Sequence, residues 1–202
     1  FQASKNISSG EGGIIVTDDE GVADACASVI NCGRIKGGEW YKHYVMASNL
    51  RITEFQAAIL LAQLSRLEAQ TLKRMENAAI LNDALAGIPG ISLTKPEPRM
   101  TRRSYHMYTL RLDSMVLGIS REQFIAACQA EGVPIGTGYP IPLYRQPVFQ
   151  SFKPNAAGCP VTCGFYGHQV DYTSVSCPVC EQVCEDTCWI SHQALLADGE
   201  AV

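Results

Sequence analysis

Phe1-Gln2-Ala3-Ser4-Lys5-Asn6-Ile7-Ser8-Ser9-Gly10-Glu11-Gly12-Gly13 opens the chain and governs how the rest is read. One lysine stands among small and polar residues. A glycine cluster follows, then the apolar run Ile14-Ile15-Val16-Thr17. A lysine fixed just before a tight turn can be held against a ligand with its amine desolvated. That is the setting of a nucleophilic lysine that forms a Schiff base. The alternative is a solvated surface charge beside a turn. The glycines lack the spacing and the Lys-Ser/Thr of a phosphate loop, so they do not indicate a nucleotide site. The chain does not start with methionine and its candidate lysine lies five residues from an end, which suggests a piece of a longer protein.

The 202 residues suffice for one large or two small domains with a buried core. A formal net charge of −4 without clustered Lys/Arg argues against nucleic acid. No apolar run is long enough to span a bilayer. The nine cysteines are an odd number, and Cys26, Cys32 and Cys128 fall in or beside apolar helical segments. Free thiols in a reducing cytoplasm are the expectation, each packing as a small apolar residue.

Residues 14–17 read as a short strand buried on both faces. Asp18-Asp19 can cap a helix that runs to about Ile30, and residues 33–48 read as loop. Thr53 with Gln56 matches the capping-box signature, so a long helix should start there and run to Gly87, about 50 Å at 1.5 Å per residue. Phe55, Ile59, Leu60, Gln63, Leu64, Leu67, Leu72, Met75, Ala79 and Leu85 keep its helical spacing. The length suggests a link between two lobes, bent near Ala69 to Thr71, and divides the chain into 1–70 and 71–202. Strands are expected at 91–94 and 104–112, with Tyr105 and His106 on opposite faces of the second. Ser120 should cap a helix to about Ala130. Residues 135–141 should be extended, Pro178 should open a helix, Trp189-Ile190 should form a closing strand, and Leu195 should start a further helix.

Phe1, Lys5 and Gly10-Glu11-Gly12-Gly13 together resemble the cofactor-lysine motif of the DegT/StrS-type family, pyridoxal-phosphate aminotransferases of sugars and cyclitols. The family's serine would precede Phe1. The resemblance continues through Asn49-Leu50-Arg51-Ile52-Thr53-Glu54-Phe55-Gln56-Ala57-Ala58, Ser104-Tyr105-His106-Met107-Tyr108, Gly138-Tyr139-Pro140 with Pro142-Leu143-Tyr144, and Trp189-Ile190-Ser191-His192. It implies an α/β protein of the pyridoxal-phosphate-dependent transferase fold type I, comprising the end of the large domain and a small α+β C-terminal domain. It implies pyridoxal 5'-phosphate as cofactor, held by Lys5 as a Schiff base, with Lys5 then shuttling a proton during transamination. Glutamate or glutamine would donate the amino group to a nucleotide-linked keto-sugar or a keto-cyclitol. Asn49 matches the residue that reaches the cofactor phosphate from the neighbouring subunit, so a cytoplasmic homodimer with a shared active site is implied. Tyr139 and His192 match positions near the substrate pocket. Their alternatives are a packed ring and a helix cap.

The chain departs from the pattern at Ala47, where the family's glycine would allow φ > 0, and at Cys32, where the family often has histidine. The remaining cofactor ligands would lie before Phe1, so these residues alone should bind the cofactor weakly and not turn over. Cys177, Cys180, Cys184 and Cys188 raise a metal or redox module as the rival reading. Placed on one helix they would spread over roughly 16 Å of axis, too far for a single ion. Only adjacent members such as Cys177 and Cys180 could share one, with Cys159, Cys163 or His168 completing it, so no metal ligand is assigned. A dehydratase of the same fold, the third reading, would carry histidine at Lys5.

Overall fold

The computed structural model describes residues 1–151 and 171–198. The chain forms two compact units, Phe1–Leu72 and Lys73–Val202.

The first unit is built from loops and helix. Glu20–Ile30 forms α1. Asp19 is its N-cap, the side chain accepting from Val22 N–H at 2.9 Å. Helix α2, Glu54–Leu85, starts at the expected capping box. Gln56 N–H donates to Thr53 Oγ1 at 3.2 Å, and Thr53 N–H donates to Gln56 Oε1 at 3.1 Å. The helix is assigned without a break through Ala69 to Thr71. Thr71 Oγ1 donates to Leu67 O at 2.7 Å, a bond back along the helix that tends to bend it.

Residues 14–17 are not a strand. They carry no regular structure, belong to no strand pair among the described residues and are exposed, Val16 to 85%. Continuous apolar character reports a need for burial but not the partner that would supply it. The spacing marks the helix α2 but not its buried face. Phe55 is 86% exposed, and Ile59, Leu64 and Leu72 are exposed too. The fully covered positions are instead Thr71, Arg74, Asn77 and Ala78. Three of these four are polar, which hides the buried face from an apolar count.

The second unit carries a four-stranded antiparallel sheet. Its strands are β1 (Ile91–Leu93), β2 (Met107–Leu112), β3 (Ile135–Thr137) and β4 (Thr187–Ser191), in the order β1-β2-β4-β3. The strand expected at Trp189-Ile190 is present as β4, and it is internal, paired with β2 on one side and β3 on the other. Short α3 (Ser114–Leu117) follows β2. Helix α4 (Arg121–Ala130) has the Ser120–Gln123 capping box complete. Pro147–Gln150 forms α5, and Pro178 sits in the first turn of α6, Pro178–Asp186. Ala194–Leu196 is a single 3-10 turn where a longer helix was expected.

Pairing fixes the faces of the sheet. Tyr108 pairs with Ile190, and Leu110 with Cys188. With Leu112, Ile135, Ala78 and Leu195 they form the buried core. Leu81 and Leu85 of α2 and Phe124, Ile125 and Cys128 of α4 pack against it. Thr109, Thr187 and Trp189 alternate with these residues and so face the other side, toward α6 and the segment after β3. Tyr105 lies outside β2 at φ 47°, so the expected alternation with His106 is broken by a left-handed residue before the strand begins.

Candidate active site

The loop that carries Lys5 is closed on itself. Gln2 and Gly10 form a parallel bridge, Ser9 N–H donates to Phe1 O at 3.0 Å, and Phe1 N–H donates to Gly12 O. Lys5 lies within this loop and is exposed; its own N–H donates to Gln2 O at 3.0 Å. Two glutamines of α2 pin the loop from below. Gln63 Nε2 donates to Ser8 O and Gln56 Nε2 to Glu11 O, each at 2.9 Å. Gln56 thus both caps its helix and anchors the loop. Gly12, at φ 134°, holds a backbone conformation that L side chains rarely adopt; space is not the constraint, since an added Cβ would make ordinary contact, 3.5 Å, with Phe1 and Ile52.

Asn49 is set by the end of α1. Asn49 bridges Asn31, Cys32 N–H donates to Ser48 O at 3.1 Å, and Leu50 N–H donates to Ile30 O at 2.9 Å. Arg51 Nη1 reaches Asn31 Oδ1 at 2.6 Å. The Asn49 side chain accepts from Arg51 N–H at 3.3 Å and is exposed. The turn before this segment depends on Gly33, at φ 79°, whose Cβ would meet Val45 O at 2.0 Å. Ala47 is not among the described positive-φ residues, so the family's glycine is not missed there. Cys32, which replaces the frequent histidine, is left-handed at φ 60°. A cleft of about 320 Å³ lies between Gly12-Gly13 and Leu50-Arg51-Ile52. The lysine loop and the asparagine segment, far apart in sequence, therefore share one wall. Neither the Lys5 nor the Asn49 side chain lines the cleft.

Tyr139 and His192 lie on the second unit and are not brought together. Tyr139 is 77% exposed and packs edge-on against Trp189, ring centroids 5.1 Å apart. Gly138 N–H bonds Thr187 O, so Tyr139 enters at the start of β4. His192 follows the far end of that strand, roughly 17 Å away along the backbone at about 3.3 Å per residue. It is only 6% exposed. Its carbonyl accepts from Arg74 Nε, and its Nδ1 meets Arg74 Nη2, both at 3.4 Å. Burial lowers the Arg74 guanidinium from its usual value.

Tyr139, Ile141, Leu143, Val183 and Trp189 line an apolar groove of about 570 Å³, with Cys180 at its wall. A polar knot closes the end of α6. Tyr144 Oη donates to Glu181, Cys177 N–H donates to the same Glu181 oxygen at 3.2 Å, and Arg145 pairs with its other oxygen at 2.7 Å. The bond from Tyr144 holds the Glu181 carboxyl below the usual range, with the Cys177 N–H and Arg145 adding. Burial and the bond to Glu181 push the Tyr144 phenol up. No periodic or motif signal in the sequence pointed to this knot, nor to Arg74 beside His192.

The four-cysteine geometry differs from expectation. Helix α6 ends at Asp186, and Cys188 lies on β4, fully buried on the core face. The seven described cysteines are free thiols. Among the described residues no three His, Cys, Asp or Glu side chains are grouped to hold a metal ion. Cys159, Cys163 and His168 lie outside the described residues. Also among the described residues, no helix is long and apolar enough to cross a membrane.

Residues 1–170 match the DegT/DnrJ/EryC1/StrS aminotransferase family. The chain is 30% identical over 214 residues to the L-glutamine:scyllo-inosose aminotransferase of Streptomyces griseus, covering 100% of this chain and 49% of that protein. It is 30% identical over 161 residues to the dTDP-3-amino-3,4,6-trideoxy-alpha-D-glucose transaminase of Streptomyces venezuelae, covering 79% of this chain and 40% of that one. The crystal structure of 3-amino-5-hydroxybenzoic acid synthase superposes with a TM-score of 0.79 at 28% identity, over 100% of this chain and 50% of the synthase. The chain thus spans about half the length of the curated relatives it matches. The fold is the expected type I transferase fold, and the chain belongs to the DegT/DnrJ/EryC1/StrS aminotransferase family.

Proposed function

We propose that the chain carries the lysine-bearing part of a pyridoxal-phosphate-dependent aminotransferase that acts on a keto-cyclitol or keto-sugar. Glutamine is the favoured donor, because the Streptomyces griseus relative is named for it. The observation that carries the reading is the Lys5 loop. A covalent anchor must present its amine from a backbone that does not drift. The loop meets this by its Phe1–Gly12 closure and its two glutamine pins, with Lys5 exposed.

In this reading Lys5 Nζ holds the cofactor and later carries a proton to and from the reacting carbon. Pyridoxal phosphate, when bound, supplies the electron sink. Asn49 contributes its side chain toward the cofactor phosphate of a second copy, which makes the enzyme a homodimer with shared sites. A cytoplasmic location belongs to the same proposal. Tyr139 offers an exposed hydroxyl to the substrate. His192 is the second residue proposed for substrate, and its burial against Arg74 means that only a ring edge could take part.

Loading the protein with pyridoxal phosphate, reducing with borohydride and mapping the peptides tests the anchor. One stoichiometric label on Lys5, lost in Lys5→Ala, is expected. Equal labelling of Lys36 or Lys42, unaffected by Lys5→Ala, would remove Lys5 from the role.

A further inference from the structure

We propose that Cys177 and Cys180 form a thiol–disulfide exchange site at the mouth of the apolar groove, with a small disulfide of the glutathione type as co-reactant. The two residues bracket Pro178-Val179 at the start of α6. Cys177 is the N-cap and Cys180 stands in the first turn. Both are exposed. One helical turn brings their Cα atoms within about 5–6 Å, inside the range a disulfide bridges. Cys177 has non-helical backbone angles, φ −130° and ψ 78°, and its side chain makes no capping bond. Its thiol is thus not committed to the helix end.

The neighbouring thiols are unsuited to the same chemistry. Cys184 is buried and touches Cys180, and burial with that contact pushes its thiol up. Cys188 lies in the core, where burial pushes it up to about 11. The thiolate is the attacking species, so both are poor nucleophiles at neutral pH. The four-cysteine run is therefore two exposed thiols followed by two inert ones.

The exchange balances without a further oxidant. One cysteine of the pair attacks the small disulfide, whose S–S bond breaks and releases one thiol. The other cysteine attacks the resulting mixed disulfide and releases the second thiol. Two protein thiols are oxidised, one small disulfide is reduced to two thiols, and the protein's two thiol protons end on the leaving thiols. Closure would draw Cys180 from Cys184 and change the wall of the groove beside Tyr139. Any effect on the substrate rests on the aminotransferase reading; the exchange itself does not.

The test uses the 202-residue chain with glutathione disulfide, followed by alkylation and cleavage at acidic residues. Cleavage at Glu181 leaves Cys177 and Cys180 in one peptide and Cys184 beyond it. That peptide should lose two hydrogens, reversibly with dithiothreitol, while Cys184 and Cys188 alkylate only in urea. Cys180→Ser and Cys177→Ser should each stop at a lasting glutathione adduct on the remaining cysteine. A link between Cys180 and Cys184, a lasting adduct in the parent chain, or no thiol loss would each overturn the proposal. None of these outcomes depends on labelling at Lys5.

Discussion

The two units are opposites in how they use apolar residues. Every hydrophobic side chain of the buried core belongs to the second unit. In the first, Ile14, Ile15, Val16, Trp40, Met46 and Phe55 all face outward. That unit is ordered by caps, by the backbone pairing of 30–32 with 48–50, and by glutamine pins to a loop. Local hydrogen bonds each add only about 1 kcal/mol net, whereas each well-buried large side chain adds about 2 kcal/mol. Within this chain, then, the first unit takes its shape from local bonds and the second from local bonds and a buried core. The candidate lysine sits in the first.

Amide exchange should expose this contrast most strongly. Protection in β2 and β4 should exceed that in α1 and residues 1–13 by about 100-fold or more. Equal protection would mean that the first unit is held by something other than the bonds described. Substitution gives the next largest effect. Leu110→Ala should lower the unfolding free energy by about 3 kcal/mol, because Leu110 is 3% exposed in the core. Phe55→Ala should change it by no more than about 0.5 kcal/mol in the same chain. A large loss at Phe55 would show that it is covered.

The smallest effect is a pH dependence confined to the second unit. Burial pushes the Tyr108 phenol up to about 12, with Tyr105 adding and Arg103 opposing, and its hydroxyl donates to Asn82 Oδ1 at 2.9 Å. The unfolded phenol titrates near 10. The folded state thus favours the neutral form. The stability it contributes is intact below pH 10 and is lost as the pH rises from 10 to about 12. Denaturant midpoints should fall over that window, less steeply in Tyr108→Phe. An unchanged slope in the variant would assign the fall to other groups, Tyr144 first, since it shifts the same way.

Local chemistry was the legible part. Thr53 with Gln56, and Ser120, announce helix starts, because a cap is decided within four residues. Lys5 and Asn49 enter as candidates through family resemblance alone, and the pinning by Gln56 and Gln63 was not legible, since it joins residues about fifty apart in sequence. Strand order was hidden for the same reason: nothing in Trp189-Ile190 says that it pairs on both sides. The buried face of α2 escaped notice because Arg74 and Asn77 occupy it, and polar residues on a core face leave no apolar period. Their partners, His192 and the carbonyls of Leu195 and Ala197, are supplied by the far end of the chain.

Helix α2 crosses the boundary between the two units, and helix formation is asymmetric in its demands. Starting a helix is unfavourable; lengthening one by a residue is not. Residues 73–85 are ordered by the core, so the nucleus is already present there. Residues 54–72 need only propagate from it, and Gln56 and Gln63 come into position as they do. The lysine loop can thus inherit its cooperativity from a nucleus more than sixty residues downstream.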